Sequence, residues 1–193
     1  ASYLPTEAHA AVLDLGCGTG LELNEYFRMH PAAHVTGIDL APGMLRALKE
    51  KFPDKALTLH QGSYFDLPFG EACFDAAVSV ESLHHFTQAE KLPLYKKLRN
   101  ALKDGGWFIL TDYFVHEQSF EDFCFSELNR LKEAQGIADK EFYHYDTPLT
   151  FAHEMDALRE AGLTERHARA LLKLTRESEK LSAVAVIAKQ SMS

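Results

Sequence analysis

The segment Val12-Leu13-Asp14-Leu15-Gly16-Cys17-Gly18-Thr19-Gly20 constrains the fold more than any other part of the chain. The apolar run Ala11 to Leu15 stops at glycine, as a buried parallel strand does. Glycine then stands at every second position, so the backbone can turn sharply and approach a ligand with no side chain between them. Directly behind it, Leu23, Tyr26, Phe27 and His30 recur at helical spacing, and Pro31 ends the pattern. A strand, a glycine turn and a helix in this order open a βαβ unit. The free N–H groups and positive dipole end at the helix start suit a carboxylate as well as a phosphate.

The alternation continues. His34 to Asp39 reads as a second strand, and Pro42 to Phe52 as a helix with Met44, Leu45 and Leu48 at helical spacing and Pro42 in its first turn. Ala56 to His60 and Cys73 to Val80 read as the third and fourth strands. Thr87 and Glu90 form a capping-box pattern that opens a helix with Leu94, Tyr95, Leu98 and Leu102 inward, and Gly105-Gly106 is expected to stop it. Trp107 to Phe114 is a fifth strand. These repeats predict a Rossmann-like, doubly wound α/β sheet in a three-layer sandwich.

The last third departs from this rhythm. Phe120, Phe123, Cys124, Leu128 and Leu131 predict one face of an inserted helix, followed by the polar and aromatic stretch Glu141 to Thr147. Thr150 caps a helix running to Gly162, with Phe151, Met155 and Leu158 inward. Leu163 to Leu174 and Ser182 to Lys189 read as two strands joined by the charged turn Thr175 to Lys180, short enough for a hairpin, so the last strand is expected to be antiparallel. The whole predicts one seven-stranded, mostly parallel domain over 1–193, with a helical or lid insertion at about 115–147.

Composition narrows the partners. The 193 residues carry 28 acidic against 20 basic side chains, a net charge of −8. No basic cluster is present of the kind that displaces phosphate counterions; Lys96-Lys97 with Arg99 reads as a solvated helix face. A small molecule is therefore expected in preference to nucleic acid. No apolar run approaches the roughly 18 residues that span a bilayer, and no leader pattern opens the chain. The short segment before the first strand is compatible with a trimmed N-terminus and with a naturally short one. Cys17, Cys73 and Cys124 form neither a disulfide framework nor a zinc pattern, which fits a reducing cytoplasm. His84-His85 and His144 show no ligand-like spacing, so no metal is expected.

Spacing also selects among ligands for the glycine turn. A dinucleotide fingerprint needs G-x-G-x-x-G, but Leu21 stands where the third glycine belongs and Gly20 comes one residue early. Asp39 lies 19 residues beyond Gly20, at the end of the second strand. There its two oxygens can accept from both hydroxyls of a ribose. Glycine turn and strand-end acid together indicate a nucleoside; taken alone, Asp39 also reads as a solvated strand end.

With these residues in place, the chain resembles the class I S-adenosylmethionine (SAM)-dependent methyltransferases, in their UbiE-like branch. The likeness begins at Val12 to Gly20 and continues through Gly37-Ile38-Asp39-Leu40-Ala41-Pro42-Gly43-Met44-Leu45 and Gly62-Ser63-Tyr64-Phe65-Asp66-Leu67-Pro68-Phe69. It recurs at Phe74-Asp75 with Ser82-Leu83-His84-His85-Phe86, and at Leu102 to Gly106, covering roughly residues 11 to 114. The resemblance implies SAM as cofactor, with S-adenosyl-L-homocysteine as product. It implies that Gly16, Cys17 and Gly18 line the methionine part, within the loop that Gly20 closes, and that Asp14 holds the ammonium through water. Asp39 would bind the ribose, Leu40 and Met44 the adenine ring, and Gly62, Ser63 and Tyr64 would edge the adenine. Ser63 departs from the aspartate frequent there. Ser79 and Val80 would end the fourth strand near the sulfonium.

The implied reaction is methyl transfer to a small acceptor that the sequence does not identify. Alternatives are a SAM-binding subunit or sensor without transfer and, disfavoured by the glycine spacing, a nucleotide-dependent oxidoreductase. Because the methyl donor is already activated, proximity can carry the reaction, with a base needed only for a protonated nucleophile. Candidates for that base are His84, His85, Tyr113 and His144, and the His84-His85 pair also reads as structural. Cys17 reads as a loop residue rather than a nucleophile. Met44 could be plain core, Glu81 could face the methyl group or the solvent, and Glu141 to Asp146 could close over a substrate or pack on the inserted helix.

Overall fold

The computed structural model describes the backbone of residues 3–138, 141–173 and 181–190, and side chains as far as Thr164. Strands β1 (Ala11–Leu15), β2 (His34–Asp39), β3 (Ala56–Gln61), β4 (Phe74–Val80), β5 (Leu102–Val115), β6 (Leu163–Lys173) and β7 (Leu181–Gln190) lie in one sheet in the order β3-β2-β1-β4-β5-β7-β6. The five strands β3-β2-β1-β4-β5 pair in parallel and form the Rossmann-like body. Strand β7 pairs antiparallel with both β5 and β6. The expected turn Thr175 to Lys180 lies outside the described residues.

Alternation along the strands builds a core on each face. Val12, Val35, Ala76, Val78 and Ile109 face one side, where Leu23, Tyr26 and Phe27 of α1 (Leu21–Met29) and Leu45 and Leu48 of α2 (Pro42–Lys51) cover them. Leu13, Leu15, Ala77, Phe108 and Leu110 face the other. That side is covered by Leu94, Tyr95 and Leu98 of α3 (Gln88–Ala101) and Met155 and Leu158 of α5 (Phe151–Glu160). A strand buried on both faces is mostly apolar, and β1 and β4 read as near-continuous runs broken only by Asp14, Asp75 and Ser79. Thr87 and Glu90 close the expected capping box, and Thr150 caps α5 through the His153 N–H. No helix among the described residues is long and apolar enough to cross a membrane.

Three expectations are corrected. Gly105-Gly106 do not stop α3: the chain is already extended at Leu102, and both glycines lie inside β5. The β4–β5 register jumps from Phe74↔Leu102 to Ala76↔Trp107, and the positive φ of Gly105 (76°) belongs to the bulge that takes up the extra residues. Helix α4 (Gln118–Gln135) buries Glu121, Cys124 and Lys132, while Phe123 is exposed and stacks on Phe120. The polar residues go inward because they have partners: Glu121 accepts from the Thr150 N–H and meets His153, and Lys132 donates to the Glu141 carbonyl. Lys97 is not a solvated cation either; its ammonium donates to the carbonyls of Tyr64, Phe65 and Leu67 at 2.7–2.8 Å.

Candidate functional site

The strand order reverses between β1 and β4, and the crevice beyond their carboxyl ends is where an open α/β sheet takes its ligand. The glycine turn lies there. Gly16 and Cys17 both donate to the Ile38 carbonyl, tying the turn to β2. Gly16 has φ 71°, and a Cβ on it would stand 2.1 Å from Ser82 Oγ, so only glycine fits. At Gly18 (φ 48°) a Cβ would meet nothing within 4 Å. Gly16 is thus needed by the protein itself, whereas Gly18 faces open space. Gly20 precedes α1 and packs against Leu48.

Asp39 closes the turn from the next strand. Its Oδ2 accepts from the Gly18 N–H and its Oδ1 from the Ala41 N–H, each at 2.8 Å. Each oxygen keeps a lone pair for a further donor. Leu40 (60% exposed) and Met44 (46%) stand beside it as large apolar side chains left open to solvent. Ser63 Oγ accepts from the Phe65 N–H, and Tyr64 is turned inward, its hydroxyl donating to the Ser82 carbonyl. Tyr64 therefore props the turn at Ser82, while the backbone at Gly62 donates to the Asp39 carbonyl.

Beneath the turn lies an acid pair, Asp14 and Glu22, of which only Asp14 belongs to the glycine motif. Asp14 is buried, and neither its Oδ2 nor Glu22 Oε1 has a donor among the described residues. Burial first, then the neighbouring Glu22 carboxyl and the Asp39 charge, push the Asp14 pKa well above the ordinary aspartate range. Two carboxyl groups in contact are both acceptors and can be joined only by a proton or another cation. Glu22 was legible only as an acidic residue in the first turn of the helix. Cys17 is buried, and burial with the Asp14 charge pushes its thiol far above the ordinary range, which makes it inert. Ser79, opposite Leu15 in the register, is fully buried with its hydroxyl unpartnered among the described residues; Val80 is half-buried beside it.

The four candidate bases come together beyond β4 and β5. His84 and His85 rings are 4.0 Å apart, Tyr113 lies 5.1 Å from His84, and His144 lies 4.6 Å from His85, between ring centres. Glu81, at φ 50°, is exposed and hydrogen-bonded by Tyr113. The residue that organises this cluster is Asp112, buried on β5: it accepts from the Leu83 and Tyr113 N–H groups and meets His84 Nδ1 at 2.5 Å. Burial alone would pull His84 below its usual range, but the hydrogen bond and charge of Asp112 outweigh it and hold the pKa above. Burial and the His84 charge pull His85 below. The 141–149 segment packs on this cluster, with Thr147 N–H donating to the His84 carbonyl and Phe142 6.0 Å from the His85 ring. Beside it opens a cleft of about 420 Å³ lined by His85, Phe86, Phe125, Leu128, Phe142 and Tyr143.

Residues 12–106 match the family described as a methyltransferase domain. The biotin biosynthesis bifunctional protein BioHC of Teredinibacter turnerae is 30% identical over 161 residues, covering 79% of this chain and 26% of that protein. A sterol 24-C-methyltransferase of Gibberella zeae is 29% identical over 161 residues, covering 81% of this chain and 40% of that protein. The chain thus spans less than half the length of these relatives. Among solved structures, geranyl diphosphate C-methyltransferase from Streptomyces coelicolor A3(2), in complex with Mg2+, geranyl diphosphate and S-adenosyl-L-homocysteine, superposes with a TM-score of 0.75 at 14% identity. That likeness covers 98% of this chain and 77% of the other.

Proposed function

The chain belongs to the class I SAM-dependent methyltransferases, and from that premise we propose that it transfers a methyl group from SAM to a small-molecule acceptor. The observation that carries this reading is the acid pair Asp14–Glu22 under the glycine turn. Two carboxyl groups repel the pyrophosphate of a dinucleotide and attract the ammonium group of an amino acid, so the pocket suits the methionine end of SAM. Asp39 receives the ribose hydroxyls, Leu40 and Met44 cover the adenine, and Gly18 leaves room for close approach. Bound there, SAM supplies a methyl group on a sulfonium centre that needs no further activation. The chain then has to orient the acceptor and exclude water. The 141–149 segment and the cleft at His85, where Phe86, Phe125 and Leu128 stand beside Glu90, Asn129 and Lys132, would do this for an acceptor with both apolar and polar parts. Three free cysteines favour a cytoplasmic setting, and the acidic balance argues against nucleic acid.

The test is methyl transfer from labelled SAM into a cell metabolite extract, with labelled small-molecule product expected. Saturable SAM binding with no product across varied extracts would make the chain a SAM sensor instead.

A second expectation follows from the acid pair. Before binding, it retains a proton above the ordinary carboxylate range; an ammonium group in the same place favours the ionised form and lowers that pKa. SAM binding should therefore release a proton, and affinity should rise with pH until the raised pKa is passed. Calorimetry in two buffers of different ionisation enthalpy checks this. Equal apparent enthalpies would mean that the pair does not meet the ammonium.

A further inference from the structure

Asp112 constrains what His84 can do. The Asp112 carboxylate takes two backbone N–H groups as well as His84 Nδ1, so that nitrogen carries the hydrogen and Nε2 is turned the other way. Nε2 faces a second carboxylate, Asp146 Oδ1, at 3.3 Å, and His85 Nδ1 approaches the same oxygen at 3.5 Å. A lone pair on Nε2 and a carboxylate oxygen repel each other unless a cation lies between them. A proton satisfies the His84–Asp146 pair, and His85 Nδ1, hydrogen-bonded to the Tyr145 carbonyl at 3.1 Å, stands beside the same Asp146 oxygen, so that three atoms able to bind a metal converge there.

We propose that His84, His85 and Asp146 form a site for a divalent first-row transition-metal ion such as zinc, with Asp112 as the group that orients His84. The three donor atoms lie within 4.8 Å of one another. Ligands about 2.1 Å from a tetrahedral zinc stand about 3.4 Å apart, which is the spacing both histidines keep from Asp146 Oδ1. Two imidazoles with one carboxylate select zinc, iron or manganese over the harder magnesium and calcium, which prefer oxygen throughout. A carboxylate behind a ligating histidine, as Asp112 stands behind His84, fixes the ring and raises its basicity. The metal takes the place of the proton that His85 Nδ1 donates to the Tyr145 carbonyl, 3.1 Å away; that proton goes to solvent. Asp146 is the exposed member, its side chain 66% accessible, so the ion has a way in. Three protein donors leave a fourth position open for water or for an oxygen or nitrogen of the methyl acceptor, which the ion would polarise. That last role rests on the methyl-transfer reading; metal binding itself does not.

The sequence offered no hint of the site because its third donor lies some sixty residues from the histidines, on a stretch with no regular structure. Metal-stripped protein should take up one zinc ion per chain in equilibrium dialysis at about 10 μM free zinc, and cobalt(II) should develop a visible ligand-field absorption. Asp146→Ala, at an exposed position, and His85→Ala should each weaken uptake by about tenfold or more. Cys73→Ser should leave it unchanged, since a thiol is no part of the site. SAM affinity, measured on the same preparations, reports the fold and the cofactor pocket separately. No uptake by the wild type, or uptake indifferent to Asp146→Ala and His85→Ala, overturns the proposal.

Discussion

Replacing Glu154 with alanine is expected to cost about 3–5 kcal/mol of stability. Glu154 lies on α5 with its side chain fully buried, and the Lys91 ammonium of α3, equally buried, meets it at 2.5 Å. The Tyr95 hydroxyl donates to the other carboxylate oxygen. Burial, with the Glu154 charge beside it, pushes the Tyr95 pKa well up, so this hydroxyl stays a donor. Truncating Glu154 leaves a lysine charge and a phenol in the apolar layer between α3, α5 and the sheet, without the acceptor that both use among the described residues. The loss is that of an uncompensated charge, larger than the net worth of the pair. Replacing both partners, as Lys91→Met with Glu154→Leu, should therefore recover most of it. Urea unfolding of the single and double variants checks both statements. A Glu154→Ala variant within about 1 kcal/mol of the parent would show that water reaches Lys91 and that the pair is not dry.

Glu154 also shows where a sequence stops being readable. The period of apolar residues placed α5 and its inward Met155 and Leu158, because each apolar side chain reports its own burial. A buried glutamate between them carries no such mark; its partner is on another helix, and only the packing of α5 on α3 brings the two together. The same reason explains α4, where Glu121 and Lys132 turn inward against the apolar stripe that the sequence presents. The glycine turn with Asp14 and Asp39 beside it was legible in the sequence, since these residues are set by local order along β1, α1 and β2. The cluster beyond β4 and β5 was not. Asp112, His84, His85 and Asp146 come from β5, the loop after β4 and the 141–149 segment, and nothing in their spacing announces that they meet. Gly105 shows the smaller version of the difficulty: a glycine after a helix reads as a stop, and the bulge that needs it is visible only once β5 lies beside β4.

Replacing Asp39 with alanine should weaken SAM binding by about 2–3 kcal/mol, or roughly 30- to 150-fold, while leaving the fold within about 1 kcal/mol of the parent. The carboxylate does two things at once. It accepts from Gly18 and Ala41, which holds the glycine turn in shape, and under the proposed function its remaining lone pairs accept from the ribose hydroxyls. Losing it leaves two partly accessible N–H groups that water can satisfy, so stability suffers little, but the ligand loses two charge-assisted hydrogen bonds. Asp39→Asn should fall between, since its amide keeps one oxygen and turns an NH2 toward a backbone donor. Two fragments of the cofactor separate the roles. Adenosine carries the ribose and should lose affinity by the same factor as SAM; methionine lacks it and should lose little. Unchanged affinity for SAM and adenosine would remove Asp39 from the ribose. An equal loss for methionine would mean that the variant acts by collapsing the turn at Gly18, so that the whole cofactor groove, rather than one sugar contact, depends on this carboxylate.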